Sequence, residues 1–434
     1  MRGYQAACLV GHEVVALRGE EARKAFFGRN DLAFMEGYSV LFGGTPDTKD
    51  IGKDKTERTD RELSLFLRHM ASILKPENVA KLIPIMLSDL QCWMEGWGQA
   101  GTFNPFEVMY SIVFQMTVRA AAAREIADSV ERCKQLEELY WKVERSNTAA
   151  SLLFPWFPSI ARIQKIAATI KIYNMLNNVI KSRQREGRRE EDPLQKFIDG
   201  GYSTVDVIGF TMGVLFAGIV NTGTTCSWIF VFLDQVPEWQ TKVIGEISAM
   251  LDKYAPRSED PNSIAARFSM VPLQAWEDEM PILDACIKET LRLVLSRTAL
   301  RRIISGDIQI EGRNIPNGTF LAYSMSETHM DASIYPNPTQ YDPGRHFDGQ
   351  GKAQTYSFLG WGAGRHPCAG RRFAQYTIKS MVAMFLTAYT YEVIDASGKK
   401  PDPSVTVPDK NDLYRASPIG QTFYLKYSKR EKPL

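Results

Sequence analysis

The sequence predicts a mainly α-helical fold with a small β region. Helical periodicity covers most of the 434 residues, including the amphipathic stretches DRELSLFLRHMASIL and FEVMYSIVFQMTVRAAAAREIADSV between residues 60 and 145. Strand-like segments occur at the start of the chain, around residues 302–323 and near the end. Because no repeat, low-complexity segment or clear linker divides the chain, we expect one domain over residues 1–434.

The composition is that of an ordinary globular protein. Apolar residues make up 44% of the chain and charged residues 24%, which is enough apolar content to bury a large core. A net charge of +2 predicts no strong attraction to nucleic acid. The six cysteines are scattered and none forms a CxxC pair, which argues against a disulfide framework or a zinc site and is typical of a reducing compartment.

The first elements are predicted as two short strands around Gly11 and His12, followed by a helix that begins near Glu20. No signal peptide pattern precedes them, so we expect the chain to begin inside folded structure. Further along, SLLFPWFPS (151–159) contains two prolines that interrupt a helix and carries bulky apolar groups. This apolar loop could dip into a membrane surface or line the entrance to a pocket. RQREGRREEDP (183–193) is expected to be a solvated charged loop.

One segment is apolar enough to be mistaken for a membrane span. No charged residue occurs from 209 to 233, and as a helix this segment would measure roughly 38 Å. However, Asn221 and several hydroxyl residues cluster in its middle beside Gly218 and Gly223, and these polar groups would be costly in lipid without partners. We therefore expect a long helix at the centre of the protein, with its polar part facing a cavity.

Cys368 lies in the glycine-rich stretch SFLGWGAGRHPCAGRRFA (357–374), directly before a helical pattern. We call residues 357–370 the cysteine loop. A thiolate here could serve as a nucleophile, a redox partner or a metal ligand. Only His366 is nearby, so a four-ligand zinc site is rejected, and no third group completes a nucleophile and base. The simplest alternative is a turn that caps a helix and holds a buried, inert cysteine.

The cysteine loop resembles the haem-binding signature of the cytochrome P450 superfamily, F-x-x-G-x-[RH]-x-C-x-G. The matching residues are Trp361, Gly364, His366, Cys368 and Gly370, and only the leading aromatic differs, Trp for Phe. The resemblance implies that Cys368 is the axial thiolate and metal ligand of a haem b (iron protoporphyrin IX). Backbone N–H groups of the turn and the N-terminus of the next helix would stabilise the negative sulfur.

The resemblance also implies further contacts to the haem. Trp361 and Gly362 are expected beside the porphyrin, and His366 is expected to meet the anionic propionates. Arg302, at a strand start, is the best match for a propionate-binding arginine, and Arg301 is a close rival. A third candidate is Arg68, in an early helix, for which a solvated surface arginine is an equal interpretation.

Two further motifs follow the family's order. KETLRL places Glu289 and Arg292 three residues apart on one helix face, although such pairs are routine on exposed helices. IYPNPTQYDPGRHF (334–347) resembles the family's P-E-R-F segment, with Arg345 in the arginine position. The resemblance implies that Glu289, Arg292 and Arg345 form a buried structural ion triad under the haem. It covers nearly the whole chain and implies the P450 fold.

The long helix departs from the family's motif at the two positions that transfer protons. In place of [AG]-G-x-[DE]-T-[TS], the sequence has Val220 in the acid position and Asn221 in the threonine position, followed by Thr222. Because an amide both donates and accepts hydrogen bonds, Asn221 and Thr222 are our candidates for the catalytic oxygen or proton machinery. The alternative is that Asn221 only satisfies the groove at Gly218.

The resemblance implies a monooxygenase that inserts one oxygen atom from O2 into an apolar small molecule. Electrons would come from an NADPH-cytochrome P450 reductase, which could dock on the arginines around the cysteine: Arg365, Arg371 and Arg372. The residues expected to line the substrate pocket are mostly small and leave room for a bulky molecule: Ala217, Val220, Thr298 and Ala299. The expected setting is sterol or secondary metabolism.

Two other functions stay open at this level. An isomerase or dehydratase acting on a peroxide would need neither O2 nor a reductase, and family members with Asn in the threonine position include such isomerases. A haem sensor or transporter would bind a ligand without turnover. GAGRHPCAGRRFA looks like eukaryotic microsomal members, which implies a full-length protein on the cytosolic face of the endoplasmic reticulum membrane. No membrane anchor is recognisable, so we expect an N-terminally truncated chain.

Overall fold

The computed structural model describes residues 4–9, 12–34, 36–38, 66–146, 159–256, 263–347, 354–403, 406–412 and 414–434. The predicted apolar loop lies outside these residues, apart from Ser159. Helices dominate the described structure and the strands form small sheets, which confirms the predicted fold class. The expectation of one domain over residues 1–434 stays a prediction.

The helices are distributed along the whole described chain, and a 3₁₀ turn at Pro343–His346 precedes the last of them. Residues 66–73 are also helical. The named helices are α1 (Glu20–Gly28), α2 (Pro76–Trp97), α3 (Pro105–Ala121), α4 (Arg124–Ala127), α5 (Val130–Arg145), α6 (Ile160–Glu186), α7 (Pro193–Asp199), α8 (Thr204–Gln235), α9 (Pro237–Tyr254), α10 (Ile264–Ser269), α11 (Leu273–Asp278), α12 (Pro281–Val294), α13 (Met325–His329) and α14 (Arg371–Ala388).

The strands are β1 (Tyr4–Leu9), β2 (His12–Leu17), β3 (Leu32–Ala33), β4 (Ala100–Phe103), β5 (Thr298–Ile303), β6 (Ile308–Ile310), β7 (Arg313–Ile315), β8 (Phe320–Ser324), β9 (Tyr389–Asp395) and β10 (Phe423–Lys429). The largest sheet has the order β1-β2-β8-β5-β3, and β4-β10-β9 and β6-β7 form two smaller ones. Strands β2 and β8 are parallel, whereas β1–β2, β5–β8 and β3–β5 are antiparallel. The large sheet therefore joins the start of the chain to the segment that follows α12.

Helix α8 is the central element of the core. A capping box of Ser203 and Asp206 starts it, and residues 222–234 are buried among neighbours that include α3, α12 and α14. In the described chain, only α8 is long and apolar enough to cross a membrane by length and composition. A Cβ at Gly223 would lie 3.0 Å from the ring of Tyr110, so this glycine lets α3 approach closely. The structure agrees with the expected buried helix.

The polar residues of α8 are satisfied mainly within the helix itself. The hydroxyls of Thr224, Thr225 and Ser227 donate to carbonyls four residues earlier, at 2.7–2.9 Å. Asn221, in contrast, is exposed. The expectation that the whole polar cluster faces a cavity is therefore wrong for Thr225 and Ser227, which are buried and donate to helical carbonyls, whereas Thr224 lines a small cavity.

The expected solvated loop at 183–193 is also corrected. Helix α6 continues to Glu186, and Arg183 on its inner face is 1% exposed. Its Nε donates to Glu125 at 2.9 Å, and its Nη1 donates to Asp192 at 2.8 Å. Arg183 thus joins α6 to the short α4 and to the start of α7. The charge-rich composition did not reveal that one arginine of the run points inward.

Three charged residues at the end of α12 are buried together. The carboxylate of Glu289 accepts two hydrogen bonds from Arg292, at 2.9 Å and 2.7 Å. It also accepts one from the Nε of Arg345 at 3.0 Å, and all three side chains are at most 1% exposed. The structure thus brings together the three residues that the resemblance assigned to an ion triad.

Further partners complete this set. The Nε2 of His346 lies 3.0 Å from Glu289, and the backbone N–H of Asp342 donates to the same carboxylate at 3.1 Å. Arg292 also donates to the carbonyls of His329 and Pro338, at 2.8 Å and 2.6 Å. Burial raises the pKa of Glu289, but Arg292 and His346 outweigh burial and hold it at about 2. We call Glu289, Arg292, Arg345 and His346 the ion set; the sequence analysis missed His346.

Removing the central anion should destabilise the protein. Glu289→Ala is expected to lower the free energy of unfolding by about 3–5 kcal/mol, because two buried guanidiniums lose their counter-ion. The control is Glu279→Ala, which removes an exposed pair with Lys253 (Nζ to Oε2, 2.8 Å) that water screens. Chemical denaturation of both variants measures the difference. Equal losses in the two variants would show that the ion set does not hold the scaffold.

The contribution of Glu289 should depend on pH. Its folded pKa of about 2 lies below the value of about 4.3 for an unfolded chain, so its stabilisation is complete above pH ~4.3 and is lost as the pH falls towards 2. The difference in unfolding free energy between wild type and Glu289→Gln should therefore stay constant near neutral pH and shrink below pH ~4. Urea titrations across this range measure it, and a constant difference in acid would contradict the assignment.

Candidate functional site

The cysteine loop is closed by backbone hydrogen bonds. The N–H of Cys368 donates to the carbonyl of Trp361 at 2.7 Å, and the N–H of Arg371 donates to the carbonyl of Cys368 at 3.3 Å. Gly362 and Gly364 have φ angles of 69° and 62°, in the left-handed region that glycine adopts without steric cost. The glycines therefore allow the loop to fold directly onto the first turn of α14.

Gly364 is the point at which the cysteine loop contacts α1. A Cβ at this position would lie 1.9 Å from the carbonyl oxygen of Phe27, so no side chain fits here. The N–H of Arg365 donates to the same carbonyl at 3.1 Å. These contacts anchor the loop on α1, next to the large sheet.

His329 connects the cysteine loop to the ion set. Its Nε2 accepts the N–H of Leu359 at 3.0 Å, while its carbonyl accepts from Arg292 at 2.8 Å. Burial lowers the pKa of His329 to about 3, so the ring is neutral near pH 7 and free to accept at Nε2. Phe358 stacks on the ring with centroids 5.7 Å apart. Two hydrogen bonds thus link the ion set to the cysteine loop through His329: one donated by Arg292 and one donated by Leu359.

Cys368 differs from the buried cysteines of the described chain. Its side chain is exposed, whereas Cys133, Cys226 and Cys286 are buried. Although part of Cys368 reaches open space, the surrounding protein still raises the pKa of its thiol, and the N–H of Gly370 and the charge of Arg371 lower it in part. Such groups stabilise a thiolate once a metal takes the place of the thiol proton. The interpretation as a buried, inert cysteine does not fit this environment.

Trp361 carries a buried donor without a partner. Its side chain is 8% exposed, and the indole Nε1 donates to no residue in the described part of the chain. The guanidinium carbon of Arg371 lies 5.9 Å from the centroid of its ring. Because buried donors nearly always find an acceptor, an orphaned N–H in this loop fits a site that holds an additional group.

Arg301 and His366 both lie against the ring of Phe34. The guanidinium carbon of Arg301 is 4.7 Å from the ring centroid of Phe34, on which His366 stacks with centroids 5.3 Å apart. Arg301 is 3% exposed and donates to the carbonyl of Leu300, but it forms no ion pair with any described residue. Burial lowers its pKa to about 10. A buried cation without a carboxylate suits the binding of an anionic group.

The other two arginine candidates are placed less favourably. Adjacent strand residues point to opposite faces, so Arg302 turns away from Arg301, donates to the carbonyl of Gly318 at 3.2 Å and lies over the ring of Phe320. The placement therefore favours Arg301 over Arg302, which the sequence had ranked first. Arg68 is exposed on the helix at 66–73, and no described contact joins it to the cysteine loop.

Helix α8 has an open face in the middle of its length. Phe216, Ala217 and Asn221 are exposed there, and Ala217 and Asn221 lie one turn apart on the same side. Thr222 is 7% exposed and shares a face with Cys226, which contacts Met381 of α14. The structure thus places the two candidate catalytic residues differently, with Asn221 on the open face and Thr222 buried. We use "open face" for Phe216, Ala217 and Asn221.

Two of the predicted pocket residues are buried in apolar clusters of this structure. Val220 is 8% exposed, packs in an apolar cluster with Tyr110, and accepts from the Tyr110 hydroxyl through its carbonyl at 3.2 Å. Ala299 is 3% exposed in the apolar core beneath the large sheet, whereas its neighbour Thr298 is exposed. Strand alternation explains why Thr298 and Ala299 cannot both face the same pocket. Ala217 and Thr298 are the two that have exposed surface.

The structure also shows a polar group that the sequence analysis missed. The hydroxyl of Tyr110 lies 2.5 Å from that of Thr224 and 2.6 Å from the carbonyl of Tyr414. Arg297 and Asp412 line a small cavity beside Thr224. These residues come from separate parts of the chain, so no local motif could have identified them.

Comparisons with known proteins agree with this geometry. The family model for cytochrome P450 matches residues 8–415. The cytochrome P450 monooxygenase AacuE of Aspergillus aculeatus is 26% identical over 99% of this chain and 87% of its own length. The monooxygenase nsrP of Aspergillus novofumigatus is 29% identical over 96% and 82%. The obtusifoliol 14-alpha demethylase of Sorghum bicolor is 26% identical over 75% and 66%.

A solved structure shows the same fold. The retinoic acid bound cyanobacterial CYP120A1 superposes with a TM-score of 0.71, at 19% identity, over 99% of this chain and 92% of the other. The family model, covering most of the chain, establishes what the cysteine loop suggested. The chain belongs to the cytochrome P450 family and is an oxidoreductase of the P450 monooxygenase type.

Proposed function

We propose that the chain is a haem-thiolate monooxygenase that oxidises an apolar small molecule with O2 and electrons from an NADPH-cytochrome P450 reductase. The observation that carries this proposal is the exposed Cys368 in a loop closed onto α14. A haem b bound by a cysteine thiolate supplies the activation of O2 and the transfer of one oxygen atom.

The residues of the cysteine loop fit such a group. Cys368 would be the axial ligand, with Trp361 and Gly362 beside the porphyrin. Arg301 and His366 would meet the propionates, because the buried guanidinium and the imidazole both lie against the ring of Phe34. The orphaned indole N–H of Trp361 and the lack of a described carboxylate at Arg301 support this assignment.

Asn221 is our candidate for handling protons. It lies on the open face of α8, where its amide can hold a water molecule by donating and accepting hydrogen bonds. Val220 in the acid position offers no carboxylate, so proton delivery would depend on the amide and on water. Thr222 remains a second candidate, although it is buried. Ala217 and Thr298 would contact the substrate.

Two exposed surfaces support our proposals for the reductase partner and for contact with a membrane. Arg365, Arg371 and Arg372 are exposed around the cysteine loop and would attract an acidic reductase. The exposed isoleucines Ile160 and Ile163 begin α6, next to the apolar loop, and support contact with a membrane surface. We therefore propose that the protein acts on the cytosolic face of the endoplasmic reticulum membrane, and we propose one catalytic domain over residues 1–434.

Thiolate ligation is tested by the carbon monoxide complex of the reduced protein. Wild type should show a band near ~450 nm, as thiolate-bound haem requires, and Cys368→Ser should lose it. Cys92→Ser is the control, because Cys92 is an exposed cysteine of α2, outside the site, and should keep the band. A wild-type protein that binds haem without this band would refute the proposed function.

The role of Asn221 is tested with a ligand found by a spin-state screen of sterols, fatty acids, terpenoids and aromatics. With a reconstituted reductase, wild type should consume NADPH and O2 and form product. Asn221→Ala should lower the product formed per NADPH roughly tenfold or more, because proton delivery loses its amide. Asn221→Thr, which restores the family residue, should keep coupling. Conversion of a hydroperoxide without NADPH or O2 would instead favour the isomerase, and binding without any turnover would favour a sensor or transporter.

A further inference from the structure

Arg297 is a partly buried arginine whose guanidinium has no partner in the described protein. It lies between the end of α12 and the start of β5, and its carbonyl accepts the N–H of Met325 at 2.9 Å, which fixes the backbone. Among the described residues, its side chain donates no hydrogen bond and forms no ion pair. Arg119, Arg183 and Arg292, in contrast, each bind a carboxylate, and the buried Arg23 donates to neutral acceptors.

The space beside Arg297 borders α8 at Thr224. A cavity of ≈ 10 Å³ lies there, and its volume fits about one oxygen-sized group. The cavity is lined by Thr224, Val294, Leu295, Ser296, Arg297, Asp412 and Ala416. Thr224 follows Asn221 by three residues, so the cavity is about one helical turn from the open face. A molecule that covers the open face could therefore reach Arg297.

The charges around this cavity are those of two guanidiniums, Arg297 and Arg415, and one carboxylate, Asp412. Asp412 attracts it electrostatically, but the carboxylate of Asp412 already accepts the N–H groups of Tyr414, Arg415 and Ser417 and the Ser417 hydroxyl. A second cation is present nearby, because the guanidinium of Arg415 lies over the ring of Tyr110 at 5.7 Å. Burial lowers the pKa of Arg297, which reflects the cost of holding a charge here.

We propose that Arg297 binds a carboxylate of the substrate, so that the substrate is a mainly apolar molecule that carries one acidic group. A carboxylate would supply the acceptor that the protein withholds, through charge-assisted hydrogen bonds that a guanidinium forms in a fixed geometry. One of its oxygens would enter the cavity beside Thr224, and the apolar body would lie along the open face. This inference rests on the proposed function and names its substrate class.

The test uses the ferric haem protein and ligands that anchor themselves on the iron. Two series of 1-alkylimidazoles are titrated and followed by the shift of the Soret band, one ending in a carboxylate and the other, of matched chain lengths, in a hydroxyl. At the length that reaches Arg297, the carboxylate should bind wild type about tenfold more tightly than the alcohol, a difference of ~1.4 kcal/mol. Arg297→Gln should remove this preference and leave the affinity for the alcohol unchanged.

Two further variants keep the test decisive. Arg297→Lys retains a positive charge and should keep part of the preference, and it serves as the second variant where Arg297→Gln does not fold. Arg185→Gln, an exposed arginine near the end of α6, should keep the full preference. The carbon monoxide band shows in each case that the haem site is intact.

The proposal is overturned in either of two ways. In the first, wild type shows a normal carbon monoxide band but binds the carboxylate and hydroxyl series of alkylimidazoles equally at every chain length. This result would refute the acidic substrate and leave the proposed monooxygenase function standing. Alternatively, Arg415→Gln rather than Arg297→Gln could abolish the preference, which would move the anion site to Arg415. A wild type without the band would instead refute the proposed function itself.

Discussion

The buried carboxylate of Glu289 is the interaction on which the rest of the site depends. It neutralises Arg292 and Arg345, and these guanidiniums bind carbonyls of the segment between α13 and the 3₁₀ turn. One of those carbonyls belongs to His329, whose neutral ring accepts the N–H of Leu359 in the cysteine loop. A buried ion pair is weak evidence of stability by itself. Its consequence here is positional, because it fixes the loop relative to α12.

The cysteine loop is thus held from two directions. The ion set acts through His329 on one side, and the close contact of Gly364 with Phe27 acts on the other. Neither contact tolerates displacement, since the first needs a hydrogen bond of defined direction and the second leaves no room for a Cβ. Cys368 therefore stands at a fixed position before α14 while its side chain remains exposed. Rigid support of a reactive group by its surroundings is what a cofactor ligand requires.

Two arginines that pair with no described carboxylate, the buried Arg301 and the partly buried Arg297, give the site its electrostatic character. Arg301 lies beside Phe34 and His366, and Arg297 lies beside Thr224 and Asp412. Several buried guanidiniums of the described residues bind carboxylates, as Arg183 and Arg292 show, whereas Arg23 donates to neutral acceptors. The guanidiniums of Arg301 and Arg297 donate to no described carboxylate, so they can form charge-assisted hydrogen bonds with an anion that the protein binds. One anion would belong to the cofactor and the other to the substrate.

The sequence by itself determined the elements and motifs whose signal is local. The periodicity of hydrophobic residues predicted helices and strands. The fixed spacing of residues around Cys368 and within KETLRL predicted a P450, because each motif lies within one short stretch of sequence. Only the tertiary structure decided what depends on the direction of side chains: that His346 joins the ion set, that Arg301 rather than Arg302 faces His366, and that Ala299 packs in the core. It also brought Arg297, Thr224 and Asp412 to one cavity from three distant segments. A residue's neighbours along the chain do not specify its neighbours in space, since strand alternation and helix packing turn adjacent side chains to opposite faces.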